Sequence, residues 1–199
     1  SYNSRGELID SIKAFCRGTD SKGNPINPVT TRDQVLYGDI NQECTGIVAT
    51  IYASPEVVRA AAKQGANLVI CHETCFWCRG GKTEWLADNP VFRAKRALLD
   101  ECGIAVWRCH DYIHSGIPVG PGESYIDGIY YGLAQKLGWT SYSNDDFFRK
   151  WAITLGHFDT EEPGMEYMAE WLPSVLGDEG DGPPINYVQA GGFSRYLCA

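Results

Sequence analysis

Short, wholly apolar runs that end directly in polar, metal-capable side chains constrain this chain more than any other feature. Leu68-Val69-Ile70-Cys71 is one such run, and His72-Glu73 follows it with no turn residue between. Ile104-Ala105-Val106-Trp107 is another, followed closely by Cys109-His110-Asp111-Tyr112-Ile113-His114. Unbroken apolar runs of this length read as strands buried on both faces. A third strand is read at 47–52. The stretches between them carry helix start and stop signals. Ser54-Pro55-Glu56 opens a helix that Gly65 ends, and Asn89-Pro90 opens one that Gly103 ends. Ser4 is placed to cap a first helix from Gly6 to Phe15. This alternation implies an α/β fold: a mostly parallel sheet with helices on both faces. Strands 47–52, 68–71 and 104–107 are expected as parallel neighbours.

The remaining segments read less regularly. Residues 18–41 are rich in Gly, Pro, Asn and Thr and read as a long loop. A helix is expected near Ser124 to Leu137, closed by Gly138. Beyond it the sequence predicts a short strand at 152–155 and a helix from Glu162 to Leu176. An acidic turn at 178–181 and a last strand, Ile185 to Val188, follow. The reading is one α/β domain over 1–199, with a core at 1–139 and an extension at 140–190.

Composition excludes some function classes. The 199 residues carry 25 acidic and 17 basic side chains, a net charge of −8. Such a surface repels phosphate backbones, so nucleic acid is not an expected partner. No apolar run approaches the roughly 20 residues that span a bilayer, so no membrane partner is expected, and no secretion signal is evident. The eight cysteines are scattered, several inside apolar runs, and read as reduced thiols of a cytoplasmic protein.

Ligands of open α/β sheets gather beyond the carboxyl ends of the strands. Two such ends deliver three of the four histidines. His72, Glu73, His110 and His114 are therefore the candidate ligands of a divalent metal: zinc, iron or manganese, as one or two ions. Glu73, if it is not a ligand, is the natural general base. The aromatics Phe76, Trp77, Trp107 and Tyr112 are the candidate substrate-binding residues of a cleft there. A rival constellation is Cys75-x-x-Cys78, which could bind zinc or exchange disulfides. It lacks a second ligand pair, so ordinary reduced thiols are expected. Gly120-Pro121-Gly122 lacks a phosphate-loop lysine and reads as a turn before a helix.

The chain resembles the Nif-three-like family (NGG-one-interacting-factor-three), also labelled dinuclear metal centre hexameric proteins. Gly65-Ala66-Asn67-Leu68-Val69-Ile70-Cys71-His72-Glu73 is similar to the family's Gly-Ala-Asp-Leu-Ile-Ile-Ser-His-His segment. The stretch from Gly103 to His114 resembles its strand ending in His-Thr-Asn-Leu-Asp. Asp127 to Gly138 resembles its Gly-Val-Asn-Asp-Ala-Leu-Ala-Glu-Leu-Leu-Gly helix. Ala190-Gly191-Gly192-Phe193-Ser194 resembles its Cys-Gly-Gly-Ala-Gly stretch, so 191–199 would begin an absent second lobe. The resemblance implies a Nif-three-like lobe, a two-metal site, a ring-shaped hexamer and a metal-dependent, GTP cyclohydrolase-like hydrolase. Three departures stand out. Glu73 replaces the family's second histidine, and His114 falls on its bridging aspartate. A further family His and Glu, near the C-terminus, find no counterpart. One ion then fits better than two, because a histidine bridges two cations less well than a carboxylate.

Two functions are expected from these residues. The first is a metal-dependent hydrolase acting on a small amide, ester or ring C–N bond of a small-molecule substrate through a metal-bound water. The second is a non-catalytic metal-binding or metal-delivery protein assembled as a ring. A homo-oligomer, possibly a hexamer, is expected in either case.

Overall fold

A computed structural model describes residues 3–76, 82–142, 157–177 and 182–191. The expected strand at 152–155, the acidic turn at 178–181 and the Gly192–Ser194 stretch lie outside these residues. So do Trp77 and Cys78.

Helix α1 is Arg5–Phe15, and its start is a reciprocal capping box. The Ser4 hydroxyl accepts from the Glu7 backbone N–H, while the Glu7 carboxylate accepts from the Ser4 N–H at 2.7 Å. Two backbone donors that the helix cannot satisfy itself are thereby paired. Strand β1 is Val35–Tyr37, β2 is Ile47–Thr50, and α2 is Pro55–Lys63. Strand β3 is Leu68–Cys71, α3 is Pro90–Cys102, and β4 is Ala105–Arg108. Three helices follow: α4 (Asp111–Ser115), α5 (Gly128–Leu137) and α6 (His157–Leu176), then β5 (Ile185–Tyr187).

The five strands form one sheet in the order β1-β4-β3-β2-β5. The β4-β3-β2 pairs are parallel, as the sequence predicts, with Leu68 opposite Ile47 and Ala105. Strand β5 is parallel to β2. The sheet departs from expectation at β1, which comes from the stretch read as loop and pairs antiparallel with β4. Only three residues long and partly exposed, β1 offers no long apolar run to announce it. Its pairing covers the outer edge of β4.

Every residue of β2, β3 and β4 is buried. Alternate side chains feed two separate cores. Ile47, Ala49, Leu68, Ile70, Ala105 and Trp107 pack with α1 and α6. Val48, Val69, Cys71 and Val106 pack with α2 and α3. The period-2 alternation of a strand thus gives each face its own helical layer. Helix α6 begins five residues before the start read from the sequence. Pro163-Gly164 looks like a helix stop, yet Pro163 lies inside the helix.

Candidate metal centre

Parallel pairing brings the carboxyl ends of β3 and β4 to the same edge of the sheet. His72 follows β3 directly. The chain leaves the strand there, because the backbone N–H groups of both His72 and Glu73 bond to the Ile51 carbonyl. This break lets two adjacent side chains reach one site, which a continuing strand would forbid. After β4, the chain turns into α4. His110 is its N-cap residue and His114 lies in its last turn. The spacing of four, read in the sequence as following a strand and leading to a loop, is here helical. It sets both imidazoles on one face.

The turn is held from a distance. Asp33 is buried, and its carboxylate accepts from the backbone N–H groups of His110, Asp111 and Tyr112. The Thr31 hydroxyl lies between two carboxylates, 2.9 Å from Asp33 and 2.8 Å from Asp111, with one hydrogen to share between them. No short-range pattern marks this arrangement, since the capping carboxylate lies 77 residues before His110.

The three imidazoles share one orientation rule. Each donates from Nδ1 to an oxygen: His72 to the Cys109 carbonyl at 2.9 Å, His110 to Asp111 at 3.0 Å, His114 to Asp127 at 2.7 Å. A carbonyl or carboxylate can only accept, so Nδ1 carries the hydrogen and Nε2 keeps its lone pair. The rings converge, with centroids 4.5, 5.0 and 4.8 Å apart for the 72–110, 72–114 and 110–114 pairs. One ligand atom from each histidine can be chosen so that all three lie within 4.8 Å of one another. His72, Glu73 and Glu161 form a second such group.

Helix α6 supplies what sequence reasoning missed. Its first turns place His157 and Glu161 against the strand ends. Glu161 Oε2 lies 3.4 Å from His72 Nε2 and 3.2 Å from His157 Nε2. His157 also reaches Glu73 Oε1 at 2.9 Å. His157 and Glu161 thus stand beside the four residues read from the sequence, which did not include them. The four-residue spacing of His157 and Glu161 was the available signal, hidden because the helix was begun at Glu162.

Electrostatics follow from burial and partners. Burial, with the positive charges of His72 and His114, pushes the His110 pKa down to about 3. Burial also opposes charge on His114, but the Asp127 hydrogen bond and charge outweigh it and raise its pKa. Burial pushes the Glu161 carboxyl up, and contact with His72 and the nearby histidines outweighs that, holding it below the usual range. Three imidazole nitrogens, once deprotonated, and one carboxylate facing His72 are a donor set suited to a first-row divalent ion.

The aromatic cleft expected around this site does not form as read. Trp107 is fully buried and belongs to the core under α1 and α6. Phe76 is buried in the opposite core, edge-on to Phe92 at 4.8 Å. The two sit on different faces of the sheet, so they cannot line one pocket. Tyr112 is partly buried against the first core, with Lys13 Nζ 5.7 Å above its ring. Cys75 is buried and lies outside both ligand groups.

No family model and no curated protein sequence matches the chain. Solved structures do. Protein ybgI, described as of unknown function, superposes with a TM-score of 0.61 at 14% identity. The match covers 96% of this chain and 100% of that one. A Bacillus cereus protein related to NIF3 matches with a TM-score of 0.45 and 17% identity, over 69% of this chain and 33% of its own. The fold is shared with ybgI. Reduced HcgD from Methanocaldococcus jannaschii also matches, with a TM-score of 0.45 and 17% identity, over 66% of this chain and 46% of its own. The chain thus spans about a third of the Bacillus protein's length. No helix among the described residues is long and apolar enough to cross a membrane.

Proposed function

We propose that the chain is a metal-dependent hydrolase with one divalent-ion centre at the ends of β3 and β4. One observation carries the metal reading. His72 Nε2 and Glu161 Oε2 are buried and face each other at 3.4 Å, yet neither makes a hydrogen bond, although the exposed His157 Nε2 lies 3.2 Å from the same Glu161 oxygen. Because Nδ1 of His72 is already committed to a carbonyl, its Nε2 presents a lone pair to a carboxylate oxygen. Two buried acceptors pointed at each other call for a cation between them. His72, His110, His114 and Glu161 would hold it, and zinc, iron or manganese suits these donors.

A bound ion of this kind supplies Lewis acidity, polarising a carbonyl or C=N group and acidifying water to a pKa of about 7. The chain's own groups do the rest. The Nδ1 bonds orient the imidazoles, and Glu73 is the carboxylate placed to hold a proton beside them. Small amides, esters and ring C–N bonds are the substrate classes this chemistry serves. The second reading, a metal-holding protein without catalysis, is favoured by the engagement of both Glu73 oxygens, by Arg108 and His157.

Zinc retention after dialysis tests the metal reading. His72→Ala and His114→Ala should each lower it several-fold, and unchanged zinc in both refutes it. Zinc-dependent cleavage of a panel of small amides, esters and cyclic amides then separates hydrolase from metal holder. Assembly as a homo-oligomer belongs to the same reading. Its support is the exposed pair Trp85 and Val91, at 67% and 76% exposure, which a second copy would cover. A monomer by sedimentation removes it.

A further inference from the structure

The two ligand groups share His72 but differ in what stands beside them. Next to the second group, His72, Glu73 and Glu161, lies a side chain that is itself a cation. Arg108 is the last residue of β4 and is buried. Its Nε donates to the His72 backbone carbonyl at 2.8 Å, and Nη2 donates to Glu73 Oε2 at 3.2 Å. The first bond fixes the guanidinium to the strand end, so it is no mobile surface charge. The other Glu73 oxygen, Oε1, faces His157. Glu73 thus has both oxygens engaged before any ion arrives.

We infer that Arg108 fills the place of a second metal ion, so that the site takes one divalent ion on His72, His110, His114 and Glu161 while Glu73 stays outside the ligand set. An ion bound to Glu73 would lie about 2 Å from its oxygen. That places it a few ångströms from a fixed positive charge, in a pocket where repulsion is weakly screened. On the three-histidine side the carboxylates of Asp111 and Asp127 are engaged at Nδ1 of His110 and His114, and Glu161 faces His72. Glu161 would then stand beside the ion and Glu73 beside the guanidinium, each carboxylate with a cation of its own.

This inference rests on the metal reading above. Accessible thiols are blocked, zinc is titrated into the full chain, and bound ions per chain are counted by elemental analysis and calorimetry. Wild type should bind one ion. Binding of none refutes the metal reading itself, whereas two tightly bound ions overturn the present inference alone. Glu73→Gln should keep one ion with the dissociation constant changed less than about threefold; a loss of tenfold or more makes Glu73 a ligand and overturns the inference. Arg108→Met should admit a second ion, and Arg108→Lys should not. Circular dichroism shows whether Arg108→Met is folded. A folded Arg108→Met that still binds only one ion overturns the role given to the guanidinium. If that variant fails to fold, the wild-type count and Glu73→Gln decide.

Discussion

His114 and Asp127 are joined by a 2.7 Å hydrogen bond, and Asp127 works in two directions at once. One oxygen accepts from His114 Nδ1. The other accepts from the Ile129 and Tyr130 backbone N–H groups and so caps α5. Asp127→Asn should keep the cap, since Asn serves there nearly as well, but it removes the charge that orients His114. Loss of such a partner typically weakens metal binding about 10–100-fold. Zinc titration should show that loss with little change in melting temperature. Asp127→Ala should add about 1 kcal/mol of destabilisation from the lost cap. Equal zinc affinity in wild type and Asp127→Asn would remove Asp127 from the site.

Acid should act on the metal-free protein through two histidines of opposite sign. His110 has its pKa held down at about 3, below an ordinary value of 6.5. The unfolded chain then takes up a proton that the folded one refuses, so stability falls as pH drops from about 6.5 towards 3. His114 is shifted upwards. Its contribution is fully present below 6.5 and is lost as pH rises through its folded value. Melting curves across pH 3–8 should show His110→Gln flattening the acid limb. A slope unchanged in that variant would contradict the shift. Zinc binding above pH 6.5 should release the His114 proton, read as a buffer-dependent heat in calorimetry.

Helices α5 and α6 touch through glycine. A Cβ on Gly132 would lie 2.6 Å from the Gly164 Cα, and one on Gly164 would lie 2.5 Å from the Ile129 Cα. Backbone cannot yield as a flexible side chain can, so Gly132→Ala should push the helices apart and cost about 1–3 kcal/mol. Because α6 carries Glu161, zinc affinity should fall along with stability. A variant that melts earlier yet binds zinc normally would show that α6 holds its site through other contacts.

The Cys75 and Cys78 thiols should be dispensable for metal. Cys75 is buried among Phe76, Phe92 and Leu99, and the metal-capable groups of the described residues omit it. Cys75→Ser with Cys78→Ser should leave the zinc count unchanged. Zinc loss on that double substitution would favour the rival zinc reading of these cysteines.

Much of the fold was legible because its strands are buried on both faces. Residues 68–71 and 104–107 stand out by unbroken hydrophobicity, and Pro55, Pro90, Gly65 and Gly103 mark the helices between them. Strand β1 was not legible, since Val35–Tyr37 earns its place only by pairing with β4. The site divides the same way. His72, Glu73, His110 and His114 lie next to strands that announce themselves. His157 and Glu161 belong to a helix whose first turns precede Pro163-Gly164, where local propensity favours a stop. Tertiary packing of Met165, Met168 and Leu172 into the core overrides it. Asp33 and Asp127 act through side-chain bonds that no local periodicity encodes. Trp107 was misplaced because its neighbours in sequence lie at the site, while its own side chain takes the inward face of β4.

The bond between Glu73 and His157 spans 84 residues of chain. An ion shared by His72 and Glu161 would close a loop of similar length, much as a disulfide does. Tying such distant points removes conformational freedom from the unfolded chain, and the gain grows only slowly with loop length. An ion bound there would therefore also act as a reversible cross-link between the central sheet and α6, and the docking of α6 would then follow the metal supply of its surroundings.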